Sequence, residues 1–532
     1  MNKTAVKAHN YELWYLVGAT ATAILLYTGL KWYQSQINYS PAPQPRSALA
    51  QQANQYYLHG NSFYKQGNYQ EALSYYQQAI AIYPQHVQSH TMIGQCHFKQ
   101  GKHQDAKLAY QNALKASPKN FEAHLALSQL FTQEMTSEGC AQAAYHAQQA
   151  LAIQPHNIEA QFALGDAQLT AGNPREARSS YELINDPAQE YRKKLYIGQT
   201  YQREQNFEQA VTHYQQSIAA NSTFPQSHIA LAGAYFALGQ LGKGFQEYEW
   251  RWEVSSGRDL QNRWAGQDLK NKTIVVLSEN GLGDILQYVR FAQLTKQQGA
   301  HVRVVAPPPL LSILKNCPYI DELIVTGSPT SAFDYLTSMQ SIPAILKINE
   351  HNLPNKPYIF ADEKLVAEWK QKLAKDKNFK IGLCWQPGDD SYLAVDQKRG
   401  VSLEQLKPLA QNGISFYCLQ MGGTTNEQLK AAPFTIHSFD ETFDKEHGAF
   451  MDTAAVMKNM DLIITVDTSV GHLAGALGVP TWMLLSYASD VRWEVKSDRS
   501  IWYPSFTLFR QPKVGDWGSV IKDVSAQLVK KV

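Results

Sequence analysis

Residues 461–485 read DLIITVDTSVGHLAGALGVPTWMLL, and the order of residue types in this stretch decides the fold of the C-terminal half. The apolar run Leu462–Val466 predicts a buried strand. It breaks at Asp467, Thr468 and Ser469, gives way to a helical pattern over residues 471–477, and resumes beyond Gly478 and Pro480 as a second buried strand. This is a βαβ unit, whose parallel strands open at their carboxyl ends onto a crevice. The helix after the first strand offers free N–H groups and the positive end of its dipole, so the turn over residues 467–472 suits an anionic ligand, and a nucleotide diphosphate fits there.

Upstream the same grammar recurs. Thr273–Leu277 (TIVVL) predicts a strand, SENGLGD over residues 278–284 a turn, residues 285–298 a helix and residues 302–306 the next strand. Further strands are expected at Glu322–Val325, 380–385 and 415–419, with helices at 364–374 and 403–410. Two α/β halves result, over residues 272–360 and 378–532. Gly281 and Gly283 let backbone approach whatever lies at the helix start, and Asp284 stands at the mouth of the crevice. Complementing the helix dipole, worth about 0.3–1 kcal/mol, by itself accounts for an acid at position 284; its functional reading is a general base. The turn lacks the third glycine and the later ribose-binding acid of a dinucleotide site, which disfavours a nicotinamide cofactor.

Residues 49–254 repeat. Gly60, Gly94, Gly165 and Gly198 fall at equivalent places, Ser128 and Ala232 fill the same slot, and Ala72, Ala106, Ala143, Ala177 and Ala210 follow twelve to fifteen residues later, with periods of 33, 34 and 37. Pro84, Pro118 and Pro155 close three units, and Phe63, Tyr76, Tyr110, Tyr181, Tyr214 and Tyr248 supply aromatic packing. About six units of an all-α solenoid resembling tetratricopeptide repeats are expected, the third carrying an insertion near residues 136–139. Small residues stand where paired helices touch, and aromatics fill the space beside them. The groove of such a solenoid reads either as a protein- or peptide-binding surface or as an ordinary solvated face. The cluster Tyr248, Glu249, Trp250, Arg251 and Trp252 is expected to cap the array and pack it onto the next domain, with an Arg–aromatic contact.

Residues 13–30, LWYLVGATATAILLYTGL, carry no charge and are flanked by aromatics, which predicts a transmembrane helix within an N-terminal tail and anchor, residues 1–33. The first small-residue cleavage site lies far downstream at residues 48–50, so the segment reads as an uncleaved anchor. Residues 34–48, with Pro41, Pro43 and Pro45, form a spacer. Lys3 and Lys7 before the span and Lys31 and Arg46 after it leave its orientation open. A net charge of +2 with no basic run argues against nucleic acid as a partner. The five cysteines are scattered and lack metal-ligand spacing, so they read as reduced core thiols, and no metal site is expected.

The blocks ENGLGDILQYVRFAQL, GAHVRVV, KIGLCWQPG, ISFYCLQ, the opening stretch, and DVRWEVKSDRSIWYPSFTLFRQPKVGDW, in this order over residues 264–532, resemble the bacterial heptosyltransferase-like glycosyltransferases of family nine, in the subgroup fused behind tetratricopeptide repeats. The resemblance implies a glycosyltransferase B-type pair of Rossmann-like domains, with a nucleotide-sugar donor as co-substrate, no further cofactor, and metal-independent, inverting transfer. By position, Asp284 matches the acid that accepts the acceptor's hydroxyl proton, and Asp467, Thr468 and His472 match the donor-binding motif, with Ser469 inside it. Lys398 and Arg399, in the loop between Trp385 and Val401, either add charge at the phosphates or are solvated; that loop departs from the lysine-bearing segment of heptosyltransferases proper. His472 also has a purely structural reading. Arg492, Trp493, Trp502 and Tyr503 either close the cleft or pack the C-terminal helix, and their aromatic density favours packing. The expectation is an enzyme anchored in the bacterial inner membrane with its domains in the cytoplasm, where nucleotide sugars are found. It would act on a protein, peptide or glycan acceptor recruited with help from the repeats. The alternative is a membrane-tethered scaffold with an inactive transferase domain.

Overall fold

The computed structural model describes residues 48–254, 262–388, 393, 398–422 and 425–532. The expected membrane span and nearly all of the spacer lie outside these residues, and among the described residues no helix is long and apolar enough to cross a membrane. Two compact units are present: one holds the residues up to Arg203, the other begins at Glu204 and runs to the C terminus.

In the first unit antiparallel helices alternate in pairs, beginning with Ala48–Lys65 and Tyr69–Ile82, then Val87–Lys99 and His103–Ala116. The repeat glycines are there for a steric reason. A Cβ at Gly60 would lie 2.5 Å from the Tyr76 ring, at Gly94 2.6 Å from Tyr110, and at Gly165 2.2 Å from Tyr181, so each slot already holds the aromatic of the partner helix. The buried phenols keep a polar partner: Tyr76 donates to Asn61 and Tyr181 to Asp166, both at 2.7 Å. Ala72, Ala106, Ala143 and Ala177 are fully buried. The insertion in the third unit becomes a helix start. Met135 takes φ 50°, Thr136 Oγ1 accepts the Gly139 N–H at 3.0 Å, and the helix Ser137–Ile153 follows.

The second unit opens with the helices Phe207–Ala220, Pro225–Ala237, Leu241–Tyr248 and Arg251–Val254, and continues into two parallel sheets. The first contains β1 (Thr273–Leu277), β2 (His301–Ala306), β3 (Glu322–Val325) and β4 (Tyr335–Ser338), in the order β3-β2-β1-β4. The second contains β5 (Phe379–Cys384), β6 (Ile414–Cys418), β7 (Ile436–His437), β8 (Leu462–Val466), β9 (Thr481–Leu485) and β10 (Phe506–Arg510), in the order β10-β9-β8-β5-β6-β7. Every residue of β8 and β9 is buried, as unbroken apolar runs require when helices cover both faces of a parallel sheet.

The repeat end packs onto the first α/β half as expected. Phe245 meets Phe291 and Trp502 edge-on at 6.1 and 6.0 Å, and Gln246 Nε2 donates to the Ala344 carbonyl at 2.9 Å. The Arg251 guanidinium lies 4.8 Å from the Tyr248 ring and 4.9 Å from that of Trp252. One element differs in form. The helix expected over residues 285–298 begins earlier, at Leu282, and is three short pieces: Leu282–Tyr288, a 3₁₀ turn Val289–Phe291, and Ala292–Gln297. It starts early because the Asp284 carboxylate accepts the Gly281 N–H at 3.1 Å and closes the first turn.

Candidate active site

The site grows from the ends of two strands in different sheets. After β1 the chain turns through Asn280, in the left-handed region at φ 64°, and Gly281 begins the helix that carries Asp284 in its first turn. After β8 it turns through Asp467 and Thr468 into the helix Ser469–Leu477, which carries His472. Asp284, Asp467 and His472 are all buried. The two helix starts touch: a Cβ at Gly283 would lie 2.7 Å from His472 Cδ2, so only glycine permits the approach.

His472 is held on several sides. Its Nδ1 is 2.8 Å from the Tyr503 hydroxyl, its Nε2 is 3.7 Å from Asp467 Oδ1, and Trp493 stacks on its ring at 5.4 Å. Arg492 Nη1 approaches the same Nε2 at 3.4 Å. The tautomer decides which neighbour of Nε2 is served: with its proton on Nε2 the ring donates toward Asp467, and with its proton on Nδ1 it donates to Tyr503 and accepts from Arg492. Burial pulls the His472 pKa down and Arg492 adds to this, against the opposing pull of Asp467. For Asp467, burial pushes the carboxyl up, but the polar contact from His472 and the charges of Arg399 and Arg492 outweigh it and hold it ionised, below the usual carboxylate range.

The guanidinium of Arg492 joins the two halves. Nη2 donates to Asp284 Oδ1 at 2.8 Å, Nη1 to Gln287 Oε1 at 2.8 Å and Nε to Asp490 Oδ1 at 2.9 Å. Arg399 Nη1 donates to the Asp467 carbonyl at 3.1 Å, which ties the loop after β5 to the turn after β8. Lys398 beside it is half-buried, and most of residues 389–397 lie outside the described residues. Thr468 Oγ1 is 3.3 Å from Thr465 Oγ1 and 3.8 Å from Cys384 Sγ. Burial pushes the Cys384 thiol up to about 11, which keeps it protonated and unsuited to attack. All five cysteines are buried and free.

The structure therefore brings Asp284, Gly283, Asp467, Thr468, His472 and Arg399 into one cluster. Trp493, Trp502 and Tyr503 are buried, in keeping with their reading as packing residues, but Tyr503 also holds His472. Sequence reasoning missed Gln287 and Asp490 and grouped Arg492 with the packing aromatics. The available signal was an Asp-x-Arg placed inside an aromatic-dense segment, where an unpaired charge would be costly.

Residues 57–121 and 98–134 match the tetratricopeptide repeat family, and residues 449–514, which hold Asp467, His472 and Arg492, match glycosyltransferase family 9 (heptosyltransferase). The chain thus carries a tetratricopeptide-repeat match ahead of a segment similar to glycosyltransferase family 9. It is 26% identical over 339 residues to Protein FlbA of Caulobacter vibrioides, an alignment covering 56% of this chain and 54% of that protein. The chain spans about half the length of this curated relative. Among solved structures it resembles TTC0263, a tetratricopeptide repeat protein of Thermus thermophilus (15% identity, 34% of this chain and 98% of that one, TM-score 0.28). It also resembles YrrB, described as a tetratricopeptide repeat protein with an unusual peptide-binding site (19% identity, 34% and 96%, TM-score 0.30).

Proposed function

We propose that this transferase domain moves a sugar from a nucleotide-sugar donor to an acceptor hydroxyl by direct, metal-independent displacement with inversion, on a glycosyltransferase B-type pair of domains. The observation that supports this reading is the convergence of an acid from the first α/β half, Asp284, on the Asp467–Thr468–His472 turn of the second. Asp284 takes the acceptor's proton, the acceptor oxygen bonds to the anomeric carbon, and the bond to the diphosphate oxygen breaks with its electron pair. The N–H groups of residues 468–471 face the charge that grows on the leaving group, and Ser469, Lys398 and Arg399 add polar contacts around it. Gly281 and Gly283 keep the base's turn close to that site. Replacing Asp284 by Asn is expected to lower turnover by roughly a hundredfold while nucleotide binding survives. Loss of nucleotide binding with unaltered cellular phenotype would instead favour the scaffold reading.

The anchor belongs to the same proposal. Residues 13–30 hold the protein at a membrane, and the domains face the cytoplasm, where the donor is found. The repeats recruit a protein or peptide partner. In intact spheroplasts the C-terminal domain is expected to resist added protease and to be digested only after lysis; digestion from outside overturns the topology.

A further inference from the structure

The reaction set out above leaves one buried charge without a task. Arg492 enters the site from the segment between β9 and β10, and its side chain is only 13% exposed. One edge of the guanidinium is tethered close by: Nε donates to Asp490 Oδ1, which also accepts the Arg492 backbone N–H at 3.0 Å, and Nη2 donates to Asp490 Oδ2 at 3.2 Å. The same Nη2 also reaches across the site to Asp284 Oδ1 at 2.8 Å, while Nη1 donates to Gln287 Oε1 at 2.8 Å and lies 3.4 Å from His472 Nε2.

This placement has a consequence for Asp284. Its Oδ2 accepts the Gly281 N–H and its Oδ1 accepts Arg492, so both oxygens of the carboxylate are engaged and one of them faces a full cation at contact distance. An acceptor hydroxyl that approaches Asp284 must therefore compete with a charge-assisted hydrogen bond for Oδ1. A diphosphate arriving at the Asp467–His472 turn meets the same guanidinium. It carries more negative charge than one carboxylate and offers the paired oxygens that a planar guanidinium binds best. The tether to Asp490 uses the Nε–H and one N–H of Nη2, and leaves the second Nη2 N–H, which Asp284 accepts, to change partners while the side chain stays in place.

Resting on the reading of the site as a donor site, we propose that Arg492 is a donor-responsive switch. Paired with Asp284 it neutralises that carboxylate; a donor's diphosphate competes for the same Nη2 N–H, so the leaving group gains a cation and Asp284 is released to act as base. Donor binding then has to precede deprotonation of the acceptor.

The test is calorimetric titration of the full-length protein with ADP, GDP and UDP. With the diphosphate that binds, Arg492→Gln is expected to weaken affinity by about tenfold or more, as the loss of a charge-assisted contact does. Arg492→Lys, which keeps the charge but loses the fork, should fall between. Asp284→Asn removes the competing carboxylate and should tighten binding several-fold, and adding it to Arg492→Gln should bring no further gain. Loss of a nearby carboxylate favours an anion by charge alone, so the discriminating result is that the gain from Asp284→Asn disappears in the Arg492→Gln background, which a merely structural arginine would not produce. Unchanged or weaker binding in Asp284→Asn overturns the switch, as does wild-type affinity in Arg492→Gln. If the wild-type protein binds none of the three nucleotides, and Asp467→Ala alters nothing, the donor-site reading itself falls.

Discussion

Single residues in this chain are placed by close packing, and Asp166 shows how that packing sets a charge. It lies one position after the slot glycine Gly165 and accepts the Tyr181 hydroxyl at 2.7 Å. Burial pushes its carboxyl up to about 7, against the hydrogen bond from Tyr181 and the charge of Arg192, with Glu159 adding to the rise. An unfolded Asp titrates near 3.9, so between about pH 4 and pH 7 the folded chain holds a proton that the unfolded chain has released. Stability from this group is therefore greatest at low pH and is lost as pH rises toward 7. His146 runs the other way: burial, with help from the charge of His124, lowers it to about 4, so its contribution is present above about pH 6.5 and fades below. Asp166→Asn keeps an acceptor for Tyr181 and removes the titration, while His146 is common to both proteins. The melting temperature of the variant relative to wild type is expected to rise from pH 5 to pH 8; a difference that does not change with pH would sink the argument. The residues of the candidate site divide along similar lines. Asp284, Asp467, Thr468 and His472 were legible because they sit where strand ends meet helix starts, and that grammar is local. The roles of Arg492, Gln287 and Asp490 were not, since the Arg492–Asp284 pair joins positions 208 apart and no local pattern announces it.

At the scale of elements, legibility followed the length and purity of the hydrophobic signal. The expected strands at 302–306, 380–385 and 415–419 lie within one residue of His301–Ala306, Phe379–Cys384 and Ile414–Cys418, because each is an apolar run bounded by polar or turn residues. β4 and β10 were missed for opposite reasons. Tyr335–Ser338 is four residues of mixed polarity whose strand character comes from pairing with β1, and Phe506–Arg510 lies in a segment so aromatic that it reads as packing. The helix expected at 403–410 shows a further limit. It forms only over Leu403–Leu406, with Ser402 and Gln405 in a reciprocal cap, and continues as the 3₁₀ turn Lys407–Leu409 that contains Pro408. In the solenoid the pattern was clearer, since Gly60, Gly94 and Gly165 answer to Tyr76, Tyr110 and Tyr181 and the pair recurs along the chain.

For the molecule as a whole, the division of the chain matters more than its repeat count. The compact unit that contains both sheets begins at Glu204, inside the repeat array, so residues 204–254 fold with the α/β domain. The reason is visible at Arg251. Its buried guanidinium donates to Glu279 at 3.0 Å, to Ser341 Oγ at 2.7 Å and to Glu249 at 2.5 Å, while Trp252 Nε1 shares Ser341 at 3.2 Å. Glu279 and Asn280 belong to the turn that leads into Gly281 and Asp284, and Asn280 reaches Gln340 at 3.2 Å, which also accepts the Tyr248 hydroxyl. The end of the repeats thus supports the turn that presents Asp284. A chain starting at residue 262 would remove the cation paired with Glu279, whose side chain is only 7% exposed in the intact unit, and would open the turn before Asp284 to solvent. It would also strip Leu241 and Phe245 from the core they share with Phe291 and Trp502. A chain starting at Glu204 keeps all of these contacts. The longer fragment is expected to be soluble, to melt in one cooperative transition and to bind the same nucleotide as the full protein, and the shorter one to aggregate or melt at least about 10 °C lower. Equal melting temperatures for the two fragments would show that the repeat end merely leans on the α/β domain; a gap of this size makes it part of the structure that holds Asp284 in place.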